Sequence, residues 1–206
     1  MNLWIATGNK GKLEEYKLTL NKIAEIKVFS QSDLPHFTPR PEDGKTFLDN
    51  ARIKAKSVKA MKSADFVLGE DAGLEVEGLG APGLGGIPGV HSARYAGPHA
   101  RDSENVAKLL KMMQIRAVPN RNAQFKCSTV VLTPDNQEWV FEGVMKGQIS
   151  SKVAGLMGFG YDPVFIPEGE TKTLAELGPA YKIQKSHRAF ALAQFLAKLK
   201  ETNVIS

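Results

Sequence analysis

The chain has 206 residues, 42% hydrophobic and 24% charged, and its 27 lysines and arginines outweigh 22 aspartates and glutamates for a formal net charge of +5. That length suits a single domain over residues 1–206, and the balanced composition excludes a disordered chain. No run of about 18 apolar residues offers a membrane span, no basic segment followed by an apolar block marks export, and the single cysteine, Cys127, excludes an internal disulfide or a multi-cysteine metal site.

A cytoplasmic protein is therefore expected. Its mild basic excess suits an anionic ligand but is too thin for a nucleic-acid patch, so neither nucleic acid nor membrane is expected as a partner.

In chain order, Asn2 to Thr7 reads as a short buried strand, ended by a Gly8-Asn9-Lys10-Gly11 turn, after which Leu13, Tyr16, Leu20 and Ile23 recur at helical spacing. Ile26 to Ser30 alternates as a second strand. Leu34 to Asp43 carries three prolines and reads as a loop. A helix follows, with Phe47, Leu48, Ala51, Ala55 and Val58 on its apolar face and Lys54, Lys56, Lys59 and Lys62 expected in solvent. Asp65 to Leu68 and Leu74 to Glu77 read as two strand pieces flanking Gly69-Glu70-Asp71-Ala72-Gly73, which places two carboxylates at a strand-to-turn transition. Gly78 to Gly89 is too rich in glycine and proline for a periodic element.

Asp102 or Ser103 is positioned to cap a helix bearing Val106, Leu109, Leu110 and Met113. Gln124 to Thr133 and Glu138 to Ile149 read as a hairpin around Pro134-Asp135-Asn136. Gly155 to Pro163 is a second glycine loop, and Ser186 opens a closing helix with Phe190, Leu192, Phe195, Leu196 and Leu199. Alternating elements followed by an antiparallel hairpin predict an α/β fold with a mixed central sheet and flanking helices.

Four constellations suit chemistry, and each keeps a plain alternative. Thr7-Gly8-Asn9-Lys10-Gly11-Lys12 frees backbone N–H groups between a strand and a helix to face phosphate, or is simply a turn. It is not a Walker loop, because its glycines are too close and Leu13 stands where Ser or Thr is required. Glu70-Asp71 with Glu42-Asp43 suits Mg²⁺, or a set of solvated turn formers. Gly158-Phe159-Gly160-Tyr161-Asp162-Pro163 exposes two rings near a carboxylate, suited to stacking on a base and reading its edge, or holds two core aromatics. Lys182 with Ser186-His187-Arg188 offers donors to carbonyl or phosphate oxygens, or a helix cap. Gly78 to Gly83 spells GxGxxG, but Pro82 forbids the helix a dinucleotide site needs. His36, His91 and His99 lack ligand spacing, so zinc is not expected.

Together TGNKGK, TFLDNA, GEDAGL, PGVHSARYAG, GFGYDPVF, KTLAEL and KSHR stand in the order found in the inosine triphosphate pyrophosphatase-like family, which this chain resembles over nearly its whole length. The resemblance implies two lobes around a substrate cleft, a homodimer, Mg²⁺ dependence, and cleavage of the purine nucleoside triphosphates ITP, dITP and XTP to the monophosphate and pyrophosphate. Residue by residue, Thr7, Gly8, Asn9, Lys10, Gly11 and Lys12 match the family's phosphate loop, and Asp71 its catalytic, metal-holding carboxylate. Phe159, Gly160, Tyr161 and Asp162 match the base-binding loop, and Lys182, His187 and Arg188 the residues that contact the substrate and its 6-oxo group.

Three departures stand out. Ala72 replaces the usual serine, so only its backbone is left to serve the substrate. Pro41 replaces a metal-ligand glutamate, which leaves Glu42 as the candidate ligand. A longer glycine loop precedes Ser92-Ala93-Arg94, with His91 where an aromatic is usual. The leading expectation is a Mg²⁺-dependent pyrophosphatase for non-canonical purine triphosphates. The alternatives are a non-catalytic nucleotide- or RNA-binding protein using the same glycine and lysine loops, and the same chemistry on another base.

Overall fold

The computed structural model describes residues 1–80, 86–118 and 120–206. Part of the Gly78 to Gly89 loop, residues 81–85 and with them the second half of its GxGxxG run, lies outside the described residues. The elements are β1 (Asn2–Ala6), α1 (Lys10–Leu20), β2 (Lys27–Ser30), α2 (Phe47–Lys59), β3 (Phe66–Val76), β4 (Ile87–Pro88), α3 (Asp102–Ile115), β5 (Asn122–Leu132), β6 (Glu138–Ile149), β7 (Phe165–Pro167), α4 (Leu174–Leu177), α5 (Pro179–Lys185) and α6 (His187–Glu201). Hydrogen bonding links the strands in the order β2-β1-β3-β5-β6-β7, with β4 on β3. The sheet is mixed: β1 runs parallel to β2 and β3, whereas β4 is antiparallel to β3 and β7 to β6. None of the helices among the described residues is long and apolar enough to cross a membrane.

Two compact units divide the chain, and β3, β5 and β6 each give one end to either. The first unit comprises Met1–Asp71, Cys127–Gly143 and Arg188–Ser206. Here β1 is buried on both faces, which is why its sequence is a continuous apolar run instead of an alternating one. Leu3 and Ile5 pack with Tyr16 and Leu20 of α1 and with Leu192, Phe195 and Leu199 of α6. Trp4 and Ala6 face the other way, onto Ala51, Ala55 and Val58 of α2. The backbones of α2 and β3 approach so closely that a Cβ on Gly69 would stand 2.6 Å from the Ala55 nitrogen, so glycine is required there.

Expectations fail in this unit at β3 and at Lys59. The two strand pieces around Glu70-Asp71 are one strand, β3, with both carboxylates buried in its middle. Lys59 is not solvated: its ammonium donates to the carbonyls of Ser63 (2.7 Å), Asp65 (2.8 Å) and Thr133 (2.7 Å), and all three donors are satisfied, which is what makes burial of the charge tolerable.

Cys127 is also buried here, and desolvation pushes its thiol up to about 12. A thiol held protonated is a poor nucleophile, so a thiol-specific reagent at pH 8 is expected to label the native protein about a thousandfold more slowly than the denatured chain. Equal labelling rates in buffer and in denaturant would refute the buried thiol.

The second unit comprises Ala72–Lys126 and Val144–His187. Its core joins Leu74 and Val76 of β3, Val106, Leu109 and Met113 of α3, Phe125 of β5, Ile149 of β6 and Phe165 of β7. The α3 cap differs from the expected one. Arg101 is the N-cap, and its backbone N–H is taken by Glu104 Oε2 at 2.7 Å, so neither Asp102 nor Ser103 caps the helix. Two short helices, α4 and α5, precede α6, in a stretch where no helix is expected from the sequence. Thr173 caps α4 in a capping box with Glu176, and Pro179 starts α5.

Candidate active site

The first unit assembles a cluster of charge around the start of α1 and the middle of β3. Between β1 and α1, Asn9 is the N-cap: its side chain accepts from the Lys12 N–H at 3.0 Å, and its own N–H reaches Thr7 Oγ1 at 3.1 Å. No acidic residue stands in the first turn of α1 to oppose an anion, so Thr7 to Lys12 present a helix N-terminus with its positive dipole end and two lysines. Lys12 points back to Glu70, 3.4 Å away, and desolvation holds its ammonium below the usual lysine range despite that carboxylate.

Glu70 also receives Arg188, whose Nη2 lies 3.2 Å and Nε 3.4 Å from its two oxygens, while Nη1 binds Glu15. Arg188, Glu70 and Glu15 therefore form a buried ion network, and the guanidinium stays charged well above its already high ordinary pKa. The donors of Arg188 are thus directed at carboxylates of its own unit.

Asp71 sits one residue on, with Oδ2 accepting from Asn50 Nδ2 at 3.2 Å and Oδ1 from Lys54 Nζ at 2.8 Å. The same ammonium lies 2.8 Å from Glu42 Oε2, so Glu42 and Asp71 converge on one cation. Pro41 has no carboxylate to bring to this cluster. Among the described residues no three His, Cys, Asp or Glu side chains converge as a metal cluster. What the structure does place around a single positive charge is a pair of hard oxygen ligands.

Asn50 is not among the expected site residues, and Lys54, expected in solvent, is instead held between Asp71 and Glu42. Asn50 and Lys54 both stand on α2, four residues apart and hence on one side of the helix. The available signal was Asn50 itself, a polar residue beside Ala51 on the apolar face. It is fully buried, and its Oδ1 accepts from the Gly44 N–H at 2.8 Å, tying the 41–44 segment to Asp71.

The second unit builds the aromatic loop. Gly158 and Gly160 have φ of 83° and 64°. A Cβ on Gly158 would also strike the Asp162 carboxyl, 3.0 Å from Cγ, so only glycine fits. Asp162 closes the turn by accepting from the Phe159 N–H at 2.9 Å. It is also paired with Lys182 of α5 at 2.7 Å, both side chains being buried. The Lys182 ammonium lies 4.3 Å from the centre of the Phe159 ring. Gly160 N–H donates to Asp102 Oδ2 at 2.7 Å.

The two readings of the loop divide between its rings: Phe159 stays partly exposed, and Tyr161 is a core aromatic. Tyr161 is 4% exposed in the unit's core, and its hydroxyl donates to the Ser92 carbonyl at 2.9 Å. A buried phenol needs such a partner, and burial raises its pKa. His187 is buried and stacks on Phe125, with centroids 5.0 Å apart and planes at 13°.

Known proteins bear on this arrangement. A dITP/XTP pyrophosphatase of Bdellovibrio bacteriovorus is 66% identical over 203 residues, covering 98% of this chain and all of that protein. One of Streptococcus thermophilus is 40% identical over 195 residues, and there the match spans 94% of this chain but only 58% of the streptococcal protein. The solved structure of a HAM1 protein from Coxiella burnetii superposes with a TM-score of 0.85 at 33% identity, covering 98% of this chain and 99% of that one. The Ham1 family model matches residues 3–198, a span that takes in the Thr7 to Lys12 loop, both buried carboxylates of β3, the aromatic loop and Lys182 to Arg188. By its sequence and its fold alike, the chain belongs to the Ham1 family.

Proposed function

We propose that this protein hydrolyses non-canonical purine nucleoside triphosphates, ITP, dITP and XTP, to the monophosphate and pyrophosphate. The observation that carries the reading is the convergence of Asp71 and Glu42 on the Lys54 ammonium, in the same unit as the open N-terminus of α1. Paired carboxylates repel a bare polyphosphate. They are useful beside one when a cation joins them, and Mg²⁺ prefers one or two carboxylates with substrate phosphates completing its shell. The donor set therefore fits magnesium, with Asp71 and Glu42 as its holders, and a bound ion there supplies Lewis-acid charge stabilisation to phosphate oxygens.

The chain's own groups do the rest. Backbone N–H groups at the start of α1, with Lys10 and Lys12, bind the phosphates. Asn50 and Lys54 orient the Asp71 carboxylate. Asp71 takes the proton of the attacking water as its oxygen adds to the α-phosphorus, and the bond from that phosphorus to the bridging oxygen breaks, releasing pyrophosphate. Base recognition is assigned to the second unit: the Phe159 ring for stacking, the backbone of Gly160 and Tyr161, the Asp162–Lys182 pair and His187. Arg188, matched by resemblance to 6-oxo contact, acts in this reading with Glu70 and Glu15 behind the phosphate loop. The family resemblance also supports a homodimer and a cytoplasmic location.

The test is a panel of nucleotides incubated with pure protein and Mg²⁺, with pyrophosphate and orthophosphate assayed separately. Pyrophosphate is expected from ITP, dITP and XTP, with ATP and GTP far slower. Accumulation of orthophosphate and the nucleoside diphosphate would refute the reaction class, and binding without turnover would favour a non-catalytic nucleotide binder.

A further inference from the structure

We propose that Asp102, the first residue of α3, is a positioning residue that sets affinity for the base by latching the tip of the Phe159–Asp162 loop. The inference rests on the base-recognition role given to that loop above.

Three sides of the loop are secured without Asp102. Phe159 and Asp162 bond to each other across the turn, Tyr161 is anchored in the core through Ser92, and Asp162 is paired with Lys182. The tip is different. A Cβ built on Gly160 would find no atom within 4 Å, so nothing packs on it. On the α3 side, Phe159 and Gly160 border a groove of about 960 Å³ lined by Val106, Leu110 and Met157. Where van der Waals contact is lacking, a hydrogen bond carries the restraint. That bond runs from the Gly160 N–H to Asp102 Oδ2, at 2.7 Å, the short distance of a charge-assisted bond.

Asp102 is not occupied with its own helix. The N-cap N–H of α3 is taken by Glu104, and the Asp102 carboxylate points out of the helix to a loop 58 residues away. Gly160 adopts φ 64°, a conformation glycine leaves easily, and it adjoins Phe159, the ring offered to the base. Fixing the Gly160 amide therefore fixes the backbone from which the Phe159 ring projects. Such preorganisation acts on binding and leaves the phosphate chemistry of Asp71 and Glu42 alone.

Asp102→Ala removes the acceptor, and Asp102→Asn keeps an amide oxygen in the same place while losing the charge. In Asp102→Ala the Gly160 amide should exchange with deuterium about tenfold or more faster, and KM for ITP should rise about three- to tenfold with kcat within twofold. Asp102→Asn should restore both to within about twofold of wild type. Inosine monophosphate affinity, measured by calorimetry without turnover, should weaken in parallel with the rise in KM.

Unchanged exchange in Asp102→Ala would overturn the latch. Faster exchange with unchanged KM and unchanged monophosphate affinity would overturn its role in base binding. Failure of Asp102→Asn to rescue would overturn the hydrogen-bond latch and assign the effect to the carboxylate charge at the start of α3, which both variants lose. If the wild type hydrolyses no nucleotide, the proposed function falls, and the exchange and monophosphate measurements still decide the latch.

Discussion

Asp71→Asn should lower ITP hydrolysis by about two to four orders of magnitude, the range expected for losing a general base, while the protein still folds. The carboxylate is buried in β3 and joined to Asn50 and Lys54, and an asparagine of the same shape fills the space. An amide binds magnesium weakly and takes no proton from water, so both proposed duties fail together. The ammonium of Lys54 keeps its second partner, Glu42, so the local charge stays compensated and the fold survives. Steady-state kinetics with ITP and a thermal unfolding scan check both halves of this expectation. A variant within tenfold of wild type would remove Asp71 from the chemistry, and an unfolded variant would show that its main duty is structural.

Arg188→Met is expected to act on stability instead. Glu70 is 1% exposed, and the variant strips it of two guanidinium contacts, while Lys12 stays 3.4 Å away. Glu15 loses its contact with Arg188 as well. Removing one partner from a buried ion network leaves its carboxylates under-compensated and costs up to about 3–5 kcal/mol, which urea unfolding at pH 7 would register. Adding Glu70→Gln should recover part of the loss, because the buried carboxylate deprived of its guanidinium is then neutral. A loss below about 1 kcal/mol in Arg188→Met would mean that water, and not the protein, solvates Glu70.

The local elements and most of their order follow from residues close together in the chain. Apolar spacing marked α1, α2 and α6, the run from Asn2 marked β1, and the hairpin signal at Pro134-Asp135-Asn136 marked β5 and β6, since each depends on neighbours within a few residues. The Thr7 to Lys12 loop and the glycines of the aromatic loop were legible for the same reason: N-capping by Asn9 and positive φ at Gly158 and Gly160 are local chemistry.

Where charge is buried depends instead on contacts between distant parts of the chain. Glu70 and Asp71 look like a solvated turn until Lys12 from α1, Lys54 from α2 and Arg188 from α6 supply their countercharges, and then an uninterrupted strand is the stable outcome. Lys59 reads as a surface lysine because its carbonyl partner at Thr133 lies 74 residues away. Tyr161 reads as an exposed ring because its partner Ser92 lies 69 residues away. A buried ionic or polar side chain is tolerated only with its partner in place, and pairs so remote in the chain meet only when the fold closes.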